Sequence, residues 1–327
     1  MDYNGARMAC QTARIAGFGR RMRREGGRMA QKPRPTVRRI ELGYELRQLR
    51  ERAEMTMEEV VEQAAKKGVK GLYFAKLQRV ETGLSDLRSA SDLRTLLDLY
   101  GVTDERDIEQ LLAIQREAAS QDWWTPYRST MPSGMPRFVG IEAAARETWA
   151  FHPSLILGLL QTEAYARTLY QLAQPIEETT SEFIDRNVKL RMRRQDALTR
   201  SEDPLVLRAV LWEPALRYLI GDVDVMVEQY EEIIKLAALP NVTVQVLPLL
   251  PPKIRGYLPS HDFSVLHLNG DLPASVQVDN AWSATSVSDK PREVGRFTRK
   301  FNAITASALP PEDTPAFLEK LKREITK

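Results

Sequence analysis

From Val37 onward, apolar residues recur at three- and four-residue intervals. Ile40, Leu42, Leu46, Leu49 and Ala53 fall on one face of a first predicted helix. Thr56 stands where a second helix opens, with Glu58 and Glu59 in its first turn, where the helix dipole favours acids. Val60, Val61 and Ala64 form its apolar side. Gly68 and Gly71 punctuate a turn, and residues 72–81 read as a short third helix stopped by Gly83. Leu93, Leu96, Leu97 and Tyr100 predict a fourth helix ending at Gly101, and Ile108, Leu111, Leu112 and Ile114 a fifth.

The pattern changes across residues 121–140, which hold two adjacent Trp, three Pro and Gly134 and read as a connector. Its aromatics, Trp123, Trp124 and Tyr127, suit a segment that docks on a domain surface. The second half then mixes periods. Helical spacing covers residues 163–171, 180–198, 214–220, 223–239, 292–309 and 314–325. Short Val-rich or alternating runs at 205–212, 242–247, 263–268 and 275–279 predict strands. A few strands among many helices imply an α+β domain. The expected organisation is a disordered arm over 1–36, a helical domain over 37–120, the connector over 121–140 and the α+β domain over 141–327.

Composition sharpens this picture in two places. The chain of 327 residues has a formal charge of only +3, but residues 1–36 carry nine basic side chains against Asp2 and Glu25. The basic character therefore sits in a tail. Such an arm either adds non-specific phosphate affinity or is dispensable. Cys10 is the single cysteine, so no disulfide can form within the chain, which fits a reducing cytoplasm. No apolar run of about 18 residues predicts a membrane span.

The string Lys76-Leu77-Gln78-Arg79-Val80-Glu81-Thr82-Gly83 carries the functional signal. Leu77 and Val80, three apart, are expected to face inward, and Lys76 and Arg79 to form a neighbouring outward stripe. Arg79 has the donors for a bidentate contact with guanine O6 and N7, and Lys76 suits a phosphate. The string resembles the recognition-helix end of the lambda-repressor/Cro-like helix-turn-helix family. Residues 46–52 and 55–60 resemble that family's first two helices. The resemblance implies that the third helix enters the major groove of double-stranded DNA. It also implies that Glu81 pairs with Arg50 of the first helix as a structural ion pair. Thr56, Tyr73, Lys76, Gln78 and Arg79 are the candidate DNA-contacting residues. One departure stands out: Thr56 and Glu81 are 25 residues apart, about six more than the family's usual spacing. The extra residues lie within 66–74, either in the turn or in the second helix. They bring Leu72, Tyr73 and Phe74 to the start of the recognition helix. Tyr73 or Phe74 either packs on thymine methyl groups or belongs to the core.

The run Leu157-Gly158-Leu159-Leu160-Gln161-Thr162-Glu163-Ala164-Tyr165-Ala166-Arg167, with residues 239–248 and 195–198, resembles a second pattern. It is similar to the uncharacterised domain that follows a helix-turn-helix in actinobacterial regulators of the WhiJ-like, antitoxin-like class. That resemblance implies regulation of development or secondary metabolism, often with a small partner protein encoded nearby. The residues themselves imply core packing by Leu157, Leu159, Leu160 and Tyr165, and a helix cap at Gln161 or Thr162.

No HExxH, P-loop, GxSxG or cysteine–histidine cluster is present, so no enzyme activity, metal or cofactor is expected. The expected fold class is a mainly α N-terminal helix-turn-helix domain followed by an α+β C-terminal domain. The expected function is a DNA-binding transcription regulator, as a homodimer, whose C-terminal domain receives a partner protein or a small-molecule ligand. The alternative is an antitoxin-like adaptor with secondary DNA binding.

Overall fold

The computed structural model describes residues 35–251, 261–270, 272–279 and 284–327. The chain divides into two compact units, one ending at Asp122 and one beginning at Trp123. The arm expected over 1–36 lies outside the described residues except for Pro35 and Thr36, which open the first helix.

The first unit contains α1 (Pro35–Arg52), α2 (Met57–Lys66), α3 (Phe74–Glu81), α4 (Ala90–Leu99) and α5 (Glu105–Ala118). Each of α2, α4 and α5 starts on a side chain that satisfies a free amide: Thr56, Ser89 and Asp104 accept from Glu59, Asp92 and Arg106. Leu46, Val60, Leu77, Leu93, Leu96 and Leu111 are wholly buried in one shared core. Each contributes about 1.5–3 kcal/mol by leaving water. Gly43 lets α1 approach the end of α3, since a Cβ there would collide with the Val80 carbonyl oxygen. Asp122 closes the unit on its own beginning. It accepts from the Thr36 hydroxyl at 2.8 Å and from Arg39 Nη2 at 2.6 Å.

The third helix begins at Phe74, two residues later than the sequence suggests. Leu72 is buried as an anchor of the preceding turn, and Tyr73 is extended, with φ −136° and ψ 164°. The additional residues lengthen this turn and not α2, which ends at Lys66.

The second unit is built on a six-stranded mixed sheet. In chain order it contains α6 (Met135–Ala144), β1 (Glu147–His152), α7 (Glu163–Glu177), α8 (Ser181–Thr199), β2 (Val206–Trp212), α9 (Glu213–Arg217), α10 (Val223–Ala237), β3 (Val242–Leu247), β4 (Phe263–His267), β5 (Ser275–Asp279), β6 (Thr285–Ser288), α11 (Pro291–Thr305) and α12 (Thr314–Ile325). The strand order is β3-β2-β1-β4-β5-β6. β1, β2 and β3 run parallel through helical crossovers, and β4, β5 and β6 continue antiparallel. On one face Phe301 and Ile304 of α11 pack with Phe151, Phe263 and Val265, and Trp149 stacks on Phe301 at 5.4 Å. The β3 edge is covered: Leu309 donates to the Val246 carbonyl at 2.8 Å and Thr314 Oγ1 to that of Val244 at 2.7 Å. Such cover removes a template for unwanted strand pairing.

The stretch expected as a connector at 121–140 is divided differently. From Trp123 it belongs to the second unit, as a 3-10 turn at Thr125–Thr130 and the first half of α6. Trp124 is buried, and Trp123 lies under the Arg193 guanidinium at 4.9 Å. No helix among the described residues is long and apolar enough to cross a membrane.

Candidate nucleic-acid interface

In α3, Leu77 and Val80 point into the core and Glu81 is buried beside them, which fixes the rotation of the helix. The opposite arc exposes Phe74, Ala75, Gln78 and Arg79. These are the first, second, fifth and sixth residues of the helix, so they share one side of it. The Arg79 guanidinium has no hydrogen-bond partner among the described residues. Lys76 is half-buried on the flank of this arc, next to Val80, so the outward stripe of Lys76 and Arg79 is shared unequally.

What holds the arc in place is the packing of α1 against α3. Arg50 Nε donates to Glu81 Oε1 at 2.7 Å and Nη2 to Oε2 at 2.9 Å, while Nη1 reaches the Met55 carbonyl at 3.0 Å. The bidentate fit gives direction as well as charge neutralisation. The hydrogen bond from Arg50 to Glu81 raises the guanidinium's pKa further. Glu81 is thereby kept out of the exposed arc.

Thr56 is committed elsewhere. Its hydroxyl accepts from the Glu59 amide at 3.2 Å, and the Glu59 carboxylate accepts from the Thr56 amide at 2.8 Å. This reciprocal cap satisfies two free donors. The amide hydrogen bond also holds the Glu59 carboxyl below its ordinary pKa. The Glu59 carboxylate therefore sits at the α2 N-terminus, and Thr56, expected to open this helix, is its capping residue.

The turn before α3 is shaped by Gly68 at φ +90° and Gly71 at φ +70°, left-handed positions that favour glycine. Val69 and Leu72 are buried between and after them. Tyr73 stands at the N-cap without a side-chain hydrogen bond, 59% exposed, and Phe74 follows at 46%. From Lys67 to Val80 the chain carries four basic side chains and no acidic one. Lys67 pairs with Asp98 at 2.6 Å; Lys70, Lys76 and Arg79 have no ion-pair partner among the described residues. Phe74 and Ala75, at the head of the exposed arc, were not singled out together by the sequence. Their positions become meaningful only once the helix start is fixed.

In the second unit the Leu157–Arg167 pattern forms a buried junction. Thr162 caps α7 by accepting from the Tyr165 amide at 3.1 Å. Gln161 donates to the Ile156 carbonyl at 2.6 Å and accepts from Arg191 at 2.5 Å. Gln229 of α10 bridges the Leu160 carbonyl and the Thr162 amide, at 2.7 and 2.8 Å. Nearby, Arg194 makes a buried bidentate pair with Glu142, at 2.6 and 2.9 Å. His152 at the end of β1 is pushed down to about 4 by burial, an effect opposed by Asp279 and reinforced by Arg194 and Arg191. These contacts orient elements; they offer no nucleophile paired with a base. A cleft of about 270 Å³ opens beside Trp123, Val139, Ala143, Arg193 and Ala197. Two other arginines at its wall are already engaged, Arg194 with Glu142 and Arg200 with the Ala143 and Ala145 carbonyls.

Residues 135–320, more than half of the chain, match the family model described as a domain of unknown function (DUF5753). Residues 41–111 match that of a helix-turn-helix domain. No curated protein and no solved structure matches the chain.

Proposed function

The chain belongs to the family of that domain of unknown function, with a helix-turn-helix domain ahead of it, and from this premise we propose that it is a sequence-specific, DNA-binding transcription regulator. The observation that carries the reading is the exposed arc of α3. Gln78 and Arg79 are exposed hydrogen-bonding side chains, without a side-chain partner among the described residues, on a short helix whose rotation is locked by Leu77, Val80 and the Arg50–Glu81 pair. Gln pairs with adenine N6 and N7, and Arg with guanine O6 and N7. The test is selection of duplexes from a random pool by the full chain. Enrichment of one short motif supports the reading; recovery of no preferred sequence overturns it.

The second unit, on this reading, receives a partner protein or a ligand and holds a homodimer on a two-part site. Support comes from α7, which leaves Leu172 58% and Ile176 84% exposed, one turn apart on the same face. Apolar surface of this kind is usual where proteins meet. The cleft beside Trp123 offers a small ligand an aromatic wall and the Arg193 cation.

A second reading has one observation in its favour. Residues 35–122 contain fourteen basic and seventeen acidic side chains, an unfavourable balance for a phosphate backbone. An adaptor that neutralises a small partner protein, with DNA binding secondary, accommodates that balance. Measuring the affinity of the full chain for its selected duplex separates the two: tight binding in the absence of any partner favours the regulator.

A further inference from the structure

Two adjacent aromatic side chains in water need an explanation. Leaving a Phe-sized side chain exposed forgoes about 1.5–3 kcal/mol of burial. Tyr73 and Phe74 do not sit on a loose loop. Val69 and Leu72 bury the turn before them, and Leu77 and Val80 bury the helix after them. The glycines of the turn serve backbone direction and not space, since a Cβ on Gly68 or Gly71 would meet nothing within 4 Å. The chain is therefore built to carry Phe74 into solvent at the first position of α3.

Its neighbours on the same arc are Ala75, Gln78 and Arg79. The two leading residues are apolar and the two following ones are polar readers. A thymine presents an apolar 5-methyl group in the major groove, and Phe and Ala side chains are among those that pack on it. The charge of this stretch of chain suits DNA: no acidic residue lies between Lys67 and Val80. We propose that Phe74, with Ala75 beside it, reads a thymine methyl group, so that the lengthened turn gives α3 an apolar reading end ahead of Gln78 and Arg79. The proposal rests on the DNA-binding function proposed for the chain and names what the aromatic residue recognises within it. Tyr73, one residue ahead and outside the helix, is not part of this contact.

The experiment uses the full chain and a duplex it has selected from a random pool. Each thymine is replaced in turn by deoxyuridine, which removes the methyl group and keeps the Watson–Crick pairing. Affinity is measured at one fixed salt concentration. For the wild type, one or two positions lose about fourfold, the equivalent of roughly 0.8 kcal/mol for one methyl group. Phe74→Ala binds the thymine duplex weakly and is indifferent to deoxyuridine at those positions. Phe74→Leu retains part of the penalty, and Tyr73→Ala and Arg79→Ala retain all of it. Phe74 is exposed, so loss of folding is not expected, and thermal melting of each variant checks this. The proposal is overturned if no thymine position responds, or if Phe74→Ala keeps the full penalty. It is also overturned if Phe74→Ala instead dissolves a protein–protein complex while the methyl penalty survives. Failure to select any sequence is a different result, and it removes the DNA-binding reading itself.

Discussion

Arg79 carries its guanidinium into solvent, whereas Arg50 carries the same group into a bidentate contact with the buried Glu81 carboxylate. The difference predicts opposite phenotypes. Arg79→Ala is expected to cost about 1–3 kcal/mol of discrimination at one base pair and to leave the melting temperature unchanged. Competition binding between the selected duplex and random DNA reads the first quantity, and a thermal melt the second. Glu81→Ala strands a buried cation, so it is expected to destabilise the first unit by about 3–5 kcal/mol. A denaturant titration that finds it as stable as the wild type would contradict the ion-pair assignment. In the second unit, His152 predicts a pH dependence. The unfolded side chain takes up its proton near 6.5, and the folded one only near 4. Protons therefore favour the unfolded chain as pH falls through that window. Stability is full above 6.5, declines toward pH 4 and levels off below it, by at most about 3 kcal/mol. Comparing wild type with His152→Gln over this range isolates the effect from the carboxylates, and the variant should be free of that part of the slope.

Among the elements, what was legible depended on whether the cause was local. Helices with regular apolar spacing, such as the one at 314–325, stand where the pattern puts them. β3 does likewise, because its Val-rich alternation already states the face it buries, and β5 has the expected bounds although its polar Ser275 and Gln277 are buried along with Val276. β1 was not legible. Its residues, Glu147 to His152, include two aromatics, a His and a Glu, and only its central place between β2 and β4 makes them a strand. The four-residue β6 was hidden for the same reason, since it exists by pairing with β5. At the candidate interface, the helix-turn-helix resemblance implied the Arg50–Glu81 pair, and the three-residue spacing placed Leu77 and Val80 inward and Arg79 outward. Thr56 opens α2 as its place in the sequence suggests, with its hydroxyl in the cap, whereas spacing leaves Phe74 open because burial of Leu72 decides where α3 starts. The close approach of Gly83 to α1 gives a further expectation. Gly83 has φ +69°, and a Cβ there would lie 2.7 Å from Ile40 Cγ1. Gly83→Ala combines left-handed strain with a collision, so it should cost at least about 1 kcal/mol and loosen α3 against α1. Hydrogen exchange of the α3 amides would show this as weaker protection; unchanged protection would mean that the close approach does not set the helix position.

Over the whole molecule, positive charge is concentrated in residues 1–34, while the first unit as a whole is slightly acidic. Residues 1–34 hold nine basic and two acidic side chains, while residues 35–122 hold fourteen basic and seventeen acidic ones. Within the first unit, Lys70, Lys76 and Arg79 supply positive charge on and before α3 that has no ion-pair partner among the described residues, whereas Arg94 is neutralised by Glu105 and Glu109. Base reading by α3 does not depend on net charge, but the approach to a polyanion does. On the proposed DNA-binding function, the arm is expected to be the main source of sequence-independent attraction. Removing it should respect the fold: Thr36 is buried and bonds to Asp122, so the deletion must stop at residue 34. The shortened chain is expected to bind more weakly by a similar factor for the selected duplex and for random DNA, leaving their ratio intact. For every phosphate that the arm neutralises, its removal should also flatten the slope of log affinity against log salt by about 0.9. Titrating both duplexes at several salt concentrations, with and without residues 1–34, provides the measurement. A deletion that erases the preference between the two duplexes while random-DNA affinity and the salt slope stay constant would make the arm a reader of sequence, and would remove charge as the reason for its composition.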